Sequence, residues 1–257
     1  MSIKQKKILP SFDEIVVSTR TIIGTSNISI NIEDVFNQLD TTHYTVIPKK
    51  RGRKKNVEVV NPNTHLKDGD IITLKYQNEL KGVDLKKNNK KKKKLNKKYF
   101  RNSLTIVMFL DNKFINFKVS NNGKFQMTGC KYSQHAINCI KIFIDHIKHN
   151  YTKDIEVTFL TVMTNIDFNL GFLVNRENLD LYINNFTRYN SLLETSFGYT
   201  GVNIKFPMEK DIDMDLEKII LSRDTEKWVD TKTTYNKFVS TVSEKEQEKY
   251  RKKKRYN

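Results

Sequence analysis

Two cysteines, Cys130 and Cys139, cannot staple 257 residues into a disulfide framework. The fold must rest on a core, and a reducing compartment is expected. Four prolines and nine glycines exclude a collagen-like or linker-dominated chain. Long apolar runs are missing. The longest, Leu104 to Leu110, is far too short to cross a bilayer. The start, Met1-Ser-Ile-Lys-Gln-Lys-Lys, meets Pro10, Asp13 and Glu14 without an apolar stretch, so no secretory signal is expected. Catalytic signatures are also missing: no Gly-rich phosphate loop, no nucleophile elbow and no carboxylate cluster of the metal type. His146 and His149 fall near Cys139, but the spacing gives no four-ligand zinc set. Asp211 to Glu217 alternates acidic and apolar residues and reads as a polar strand or helix edge. The expectation is an intracellular protein that is not an enzyme, with no metal, cofactor, membrane or small-molecule substrate.

Acid is the scarcest charge. There are 29 Asp+Glu against 46 Lys+Arg, a net charge of +17, which rules out an acidic scaffold and favours a polyanion such as nucleic acid. The excess is concentrated: Val46 to Tyr99 holds 18 Lys/Arg and 5 Asp/Glu. Lys49 to Lys55 and Lys86 to Lys94 carry most of it, and Arg251 to Arg255 forms a third cluster. Such runs repel themselves and read either as solvated linkers or as polyanion contacts. Within the first, Lys50, Arg51, Arg53 and Lys54 are candidate auxiliary contacts. Arg51-Gly52-Arg53 is similar to the core of an AT-hook, with Lys54 where that motif carries proline. Pro48 to Lys55 could also serve nuclear targeting.

Between the charged runs the pattern is that of packed elements. Glu14 to Ile30 is β-branched and reads as a strand pair or one bent strand, with Gly24-Thr-Ser-Asn as the bend. Asn31 can cap a short helix carrying Ile32, Val35, Phe36 and Leu39 at i, i+3, i+4, i+7. Ser103 to Leu110, Phe114 to Ser120 and Phe125 to Gly129 are three strands joined by tight turns at Asp111-Asn112-Lys113 and Asn121-Asn122-Gly123-Lys124. Alternation puts Ile115, Phe117, Val119, Phe125 and Met127 on one face and Asn116, Lys118, Ser120, Gln126 and Thr128 on the other. Ser133 then caps a helix with Ile137, Ile140, Ile144 and Ile147 along one side. A sheet with one helix-covered apolar face and one open, lysine-bearing face follows.

The pattern then restarts. Ile155 to Leu170 matches Ile15 to Ile30 in type, and Leu179, Tyr182, Ile183 and Phe186 repeat the helical stripe. Gly201 to Pro207 supplies a further strand, echoed earlier by Ile72 to Tyr76. The chain reads as an internal duplication of a strand, helix, strands, helix unit.

Gly123-Lys124-Phe-Gln-Met-Thr128-Gly129-Cys130-Lys131, behind its hairpin and inside this duplication, resembles the G-K-x-x-x-T-G-x-K ending of a TATA-box-binding protein repeat, with Cys130 at the usual alanine. The divergent versions in large DNA viruses fit best. The resemblance covers roughly residues 14–45, 100–150 and 155–207. It implies an α+β, saddle-shaped fold of two repeats, a curved antiparallel sheet with helices on one face. It also implies that the open face lies on the minor groove of double-stranded DNA, where phenylalanine wedges unstack base steps. Thr128 and Lys124 match family positions touching bases and backbone, and Lys118, Ser120 and Gln126 share their face. Phe100, Thr161, Tyr199 and Lys205 complete the candidate contacts. The chain departs from the family in having no phenylalanine at Ser120 or Ser103 and no strand-one asparagine near Ile15, Val16 or Thr161.

The resulting division is a flexible tail over 1–13, a first repeat over 14–150 with a basic insertion at 46–99, and a partial second repeat over 151–242. That second repeat carries a charged insertion after 207, and a basic tail follows over 243–257. It is expected to lack its last strand and covering helix, leaving an open edge through which chains would pair. The leading functional reading is an initiation factor recognising A·T-rich promoters and recruiting general transcription initiation factors and RNA polymerase. Its site of action would be a host nucleus or a cytoplasmic viral factory. The alternative is a basic DNA-coating or packaging protein. A scaffold holding polymerase subunits through the helical face is a third reading.

Overall fold

A computed structural model describes residues 11, 14–46, 62–85, 102–193, 201–206 and 213–256, with side chains to residue 250. The chain divides into two compact units. One comprises residues 17–166 and 216–233, the other residues 1–16, 167–215 and 234–257.

The larger unit is built on a nine-stranded sheet. Its strands are β1 (Val17–Ser26), β2 (Ile71–Tyr76), β3 (Glu79–Gly82), β4 (Ser103–Leu110), β5 (Lys113–Ser120), β6 (Lys124–Cys130), β7 (Ile155–Ile166), β10 (Asp215–Leu221) and β11 (Trp228–Thr234). They lie in the order β11-β10-β7-β1-β6-β5-β4-β2-β3. Helices α1 (Ile32–Gln38) and α2 (Ser133–Ile147) connect them. This is an α+β fold with a large antiparallel sheet.

The three-strand block forms as its alternation requires. Ile115, Phe117, Val119, Phe125 and Met127 are all fully buried. The β4–β5 turn sets Asp111 and Asn112 at φ 48° and 57°, the doubly left-handed geometry that matches strand twist in a two-residue hairpin. At the next turn Gly123 has φ 69°, and a Cβ there would collide with the Ile28 carbonyl oxygen and Ser26 Oγ. Ser26 N–H and Ser26 Oγ–H both donate to the Gly123 carbonyl, at 3.0 and 2.9 Å, tying β1 to this turn.

Helix α2 lays Ile137, Ile140, Phe143, Ile144 and Ile147 on the apolar face. The Phe143 ring meets Phe117 and Phe125 edge-on, with centroids at 5.8 and 5.7 Å. Helix α1 buries Ile32, Val35 and Phe36, and its Asn31 cap accepts from Glu33 N–H and Asp34 N–H. Tyr132, without a side-chain bond, occupies the cap of α2, and Ser133 is the first helical residue rather than the cap.

Several expectations need correction. Within the segment from 14 to 30, Val17–Ser26 is a single strand, one of the two forms expected, and Gly24 lies inside it rather than at a bend. A Cβ on Gly24 would stand 2.8 Å from Ile140 Cδ1, so the glycine admits α2. The span 46–99 is not wholly an insertion, because β2 and β3 lie within it and β2 pairs with β4. The chain after 207 is not simply a charged insertion followed by a tail. Leu216, Ile219 and Leu221 are buried, and β10 pairs antiparallel with β7. β10 thus covers β7 over its first four residues, and β11 is the outer strand on that side of the sheet. Lys141 of α2 reaches Asp230 of β11 at 2.7 Å. Residues 244–256 form a helix.

Each half opens with a long strand and a helix, but five strands follow α1 and four follow α3 (Arg176–Phe186). Beside β1 stands β6, the last of its five, whereas beside β7 stands β10, the third of its four.

The smaller unit contains α3 (Arg176–Phe186), a two-stranded sheet of β8 (Asn190–Leu193) and β9 (Val202–Lys205), and helices α4 (Tyr235–Thr241) and α5 (Glu244–Tyr256). The predicted stripe on α3 buries no residue completely. Tyr182 and Phe186 stay exposed with their rings 5.6 Å apart.

Candidate nucleic-acid interface

The register of the large sheet carries Lys118, Ser120, Lys124, Gln126 and Thr128 to the face away from α1 and α2. Lys118 pairs with Gln126, and Asn116 with Thr128. Ser103 pairs with Ser120. These pairs belong to rows that cross the sheet. One runs Lys75, Thr105, Lys118, Gln126, Ile23, Leu160, each opposite the next on six successive strands. A second runs Lys124, Thr25, Thr158, Lys218 on the other side of β6. At about 4.8 Å between neighbouring strands, the first row is about 24 Å long.

The face is electropositive. Over β2, β4, β5, β6 and β1 its paired positions include Lys75, Lys118 and Lys124 and no carboxylate. The carboxylate of Glu156 on β7 is neutralised by Lys218 at 2.7 Å. Lysines gathered on one face present an attractive field to a polyanion. Thr128 Oγ–H donates to the Asn116 carbonyl at 3.3 Å, which holds its hydroxyl on the strand surface.

Where β4 begins and the β5–β6 turn closes, the face dips into an open hollow of about 410 Å³. Lys118, Ser120, Lys124, Phe125 and Gln126 line it from β5 and β6, Asn102 and Ser103 from the start of β4, and Ile23 from β1. Four of the five block residues proposed from sequence thus meet at one hollow, and Thr128 lies one cross-strand row away. Ile23 and Asn102 escape the sequence reading. The β1–β6 register that delivers Ile23 joins residues about a hundred positions apart, and no local pattern reports it.

The other candidates do not join this group. Thr161 shares the parity of Ile155, Val157 and Phe159, all buried on the helix-backed side, and stands opposite the buried Ile22. It is on the wrong face for the site, because period 2 along β7 puts its side chain there. Lys205 lies on β9, in the separate two-stranded sheet. Phe100, Tyr199, Lys50, Arg51, Arg53 and Lys54 lie outside the described residues.

Among the described residues, no three of His, Cys, Asp and Glu converge as a metal site. Burial pushes the Cys130 thiol up to about 11, against a smaller lowering by Lys113, and pushes Cys139 up as well. Neither thiol is poised as a nucleophile at neutral pH. Among the described residues, no helix is long and apolar enough to cross a membrane.

Over 191 residues, 61% of this chain, the sequence is 30% identical to a TATA-box-binding protein-like protein of Acanthamoeba polyphaga mimivirus. The match covers 51% of that relative, so the chain spans about half its length. No family model matches the chain. No solved structure matches it. The chain is a distant relative of a viral TATA-box-binding protein-like protein.

Proposed function

We propose that this chain is a non-enzymatic, DNA-binding transcription initiation factor of the TATA-box-binding type. It docks the open face of its large sheet on the minor groove of A·T-rich promoter DNA and recruits initiation factors and RNA polymerase, in a host nucleus or a cytoplasmic viral factory. The observation that carries this reading is the row from Lys75 through Lys118 and Gln126 to Leu160. Its length of about 24 Å equals about seven base-pair steps at 3.4 Å each. From Lys75 to Ile23 it supplies positive charge, amide and hydroxyl groups and an apolar side chain on one face, and it ends at the buried Leu160. Minor-groove readout separates A·T from G·C mainly by the guanine amino group, so polar and apolar strand residues suffice without a recognition helix. The name of the viral relative points the same way.

The test is equilibrium binding of the full chain to A·T-rich and G·C-rich duplexes of equal length at one salt concentration. The proposal expects tighter binding to the A·T-rich duplex. Equal affinity for every duplex would favour the coating or packaging role, which the lysine runs at 49–55 and 86–94 would serve. No duplex binding would overturn both.

A further inference from the structure

The hollow on the open face is more than a dip in a flat binding surface. Ser103 and Ser120 are direct cross-strand partners and both are small, so the sheet surface falls away between β4 and β5 instead of being filled. Its chemistry is divided. Along one side stands the apolar side chain of Ile23, opposite Gln126 across the β1–β6 pairing. The rest of the lining includes two ammonium groups, Lys118 and Lys124, with the Gln126 amide and the two serine hydroxyls. An apolar wall suits the face of a planar base, the amide and hydroxyls suit its edge, and two ammonium groups suit a phosphate. At about 410 Å³ the space is at the lower end of the range for small-molecule sites, about 300 to 1,000 Å³. That suits a single nucleotide.

We infer that this hollow receives one unstacked nucleotide of the bound duplex, with its base against Ile23, its edge toward Gln126 and Ser120, and its phosphate beside Lys118 and Lys124. The inference rests on the duplex-binding reading above. Extruding a base from a paired duplex costs unstacking energy, and the cost is least when the nucleotide is already unpaired. A duplex carrying one unpaired adenine should therefore bind more tightly than the same duplex fully paired.

The experiment is fluorescence anisotropy of the full chain with two labelled A·T-rich duplexes that differ only in one central bulged adenine. The expected result is at least fivefold tighter binding of the bulged duplex. Ser120→Phe and, from the other wall, Ser103→Phe should each fill the hollow and bring the ratio to about one. Equal affinity of the unaltered chain for both duplexes overturns the inference while leaving duplex binding intact, as does a preference that survives both phenylalanine variants. Failure to bind either duplex overturns the duplex-binding reading as well.

Discussion

Ser103 and Ser120 face each other across β4 and β5 on the open side of the sheet, at positions where the resemblance to TATA-box-binding proteins leads to an expectation of phenylalanine wedges. A hydroxymethyl group cannot enter a base step, so this half of the sheet has no wedge at that pair. The unaltered chain should bend A·T-rich duplex little. The double variant Ser103→Phe/Ser120→Phe should bend it clearly more, read as increased energy transfer between end-labelled dyes. Strong bending by the unaltered chain, or none by the double variant, would contradict this.

Lys118 and Gln126 form the centre of the long cross-strand row, and neither points into the core. Replacing both by Glu should weaken duplex binding at least tenfold, through loss of one cation and gain of two anions facing phosphates. The thermal unfolding midpoint should move by no more than a few degrees. A gel-shift titration alongside a melting curve separates the two effects. Unchanged affinity would remove the sheet face from the interaction.

The lysine run makes a separable contribution. Replacing Lys86 to Lys98 by a short Gly/Ser linker should lower the slope of log affinity against log salt by about 0.9 for each phosphate no longer neutralised. Preference for A·T over G·C should persist, because charge alone carries no base information. Salt titrations on both duplexes decide this, and a vanished preference at constant slope would transfer the reading function to that segment.

Phe143 joins α2 to the sheet through two edge-on ring contacts in a fully buried cluster. Phe143→Ala should cost about 3 to 5 kcal/mol, the usual range for emptying such a site. A denaturant-unfolding midpoint checks it, and a loss below about 1 kcal/mol would mean α2 is not the main cover of this face.

How much of this is legible in sequence depends on how local each signal is. The faces of β5 and β6 can be read because alternation over two tight turns fixes them, and Ile115, Phe117, Val119, Phe125 and Met127 are buried. Asn31 is readable as a cap because the capped N–H groups lie two and three residues away. Long-range pairing is not. Gly24 carries the mark of a bend, yet its need for a missing side chain comes from Ile140, over a hundred residues on. Thr161 is a candidate only by analogy with a strand-one position, while its own parity with Val157 and Phe159 puts it on the other face. The stretch from 215 to 234 resembles a charged insertion because its apolar residues are few, and only their pairing beside β7 identifies it as sheet.

The most direct test of minor-groove docking is to replace A·T pairs by I·C pairs in the bound duplex. Inosine lacks the guanine amino group, so an I·C pair presents the minor groove of A·T and a major groove like that of G·C. The full chain should bind the A·T and I·C duplexes with equal affinity and the G·C duplex more weakly. If the I·C duplex behaves like G·C, the open face of the sheet does not read the minor groove.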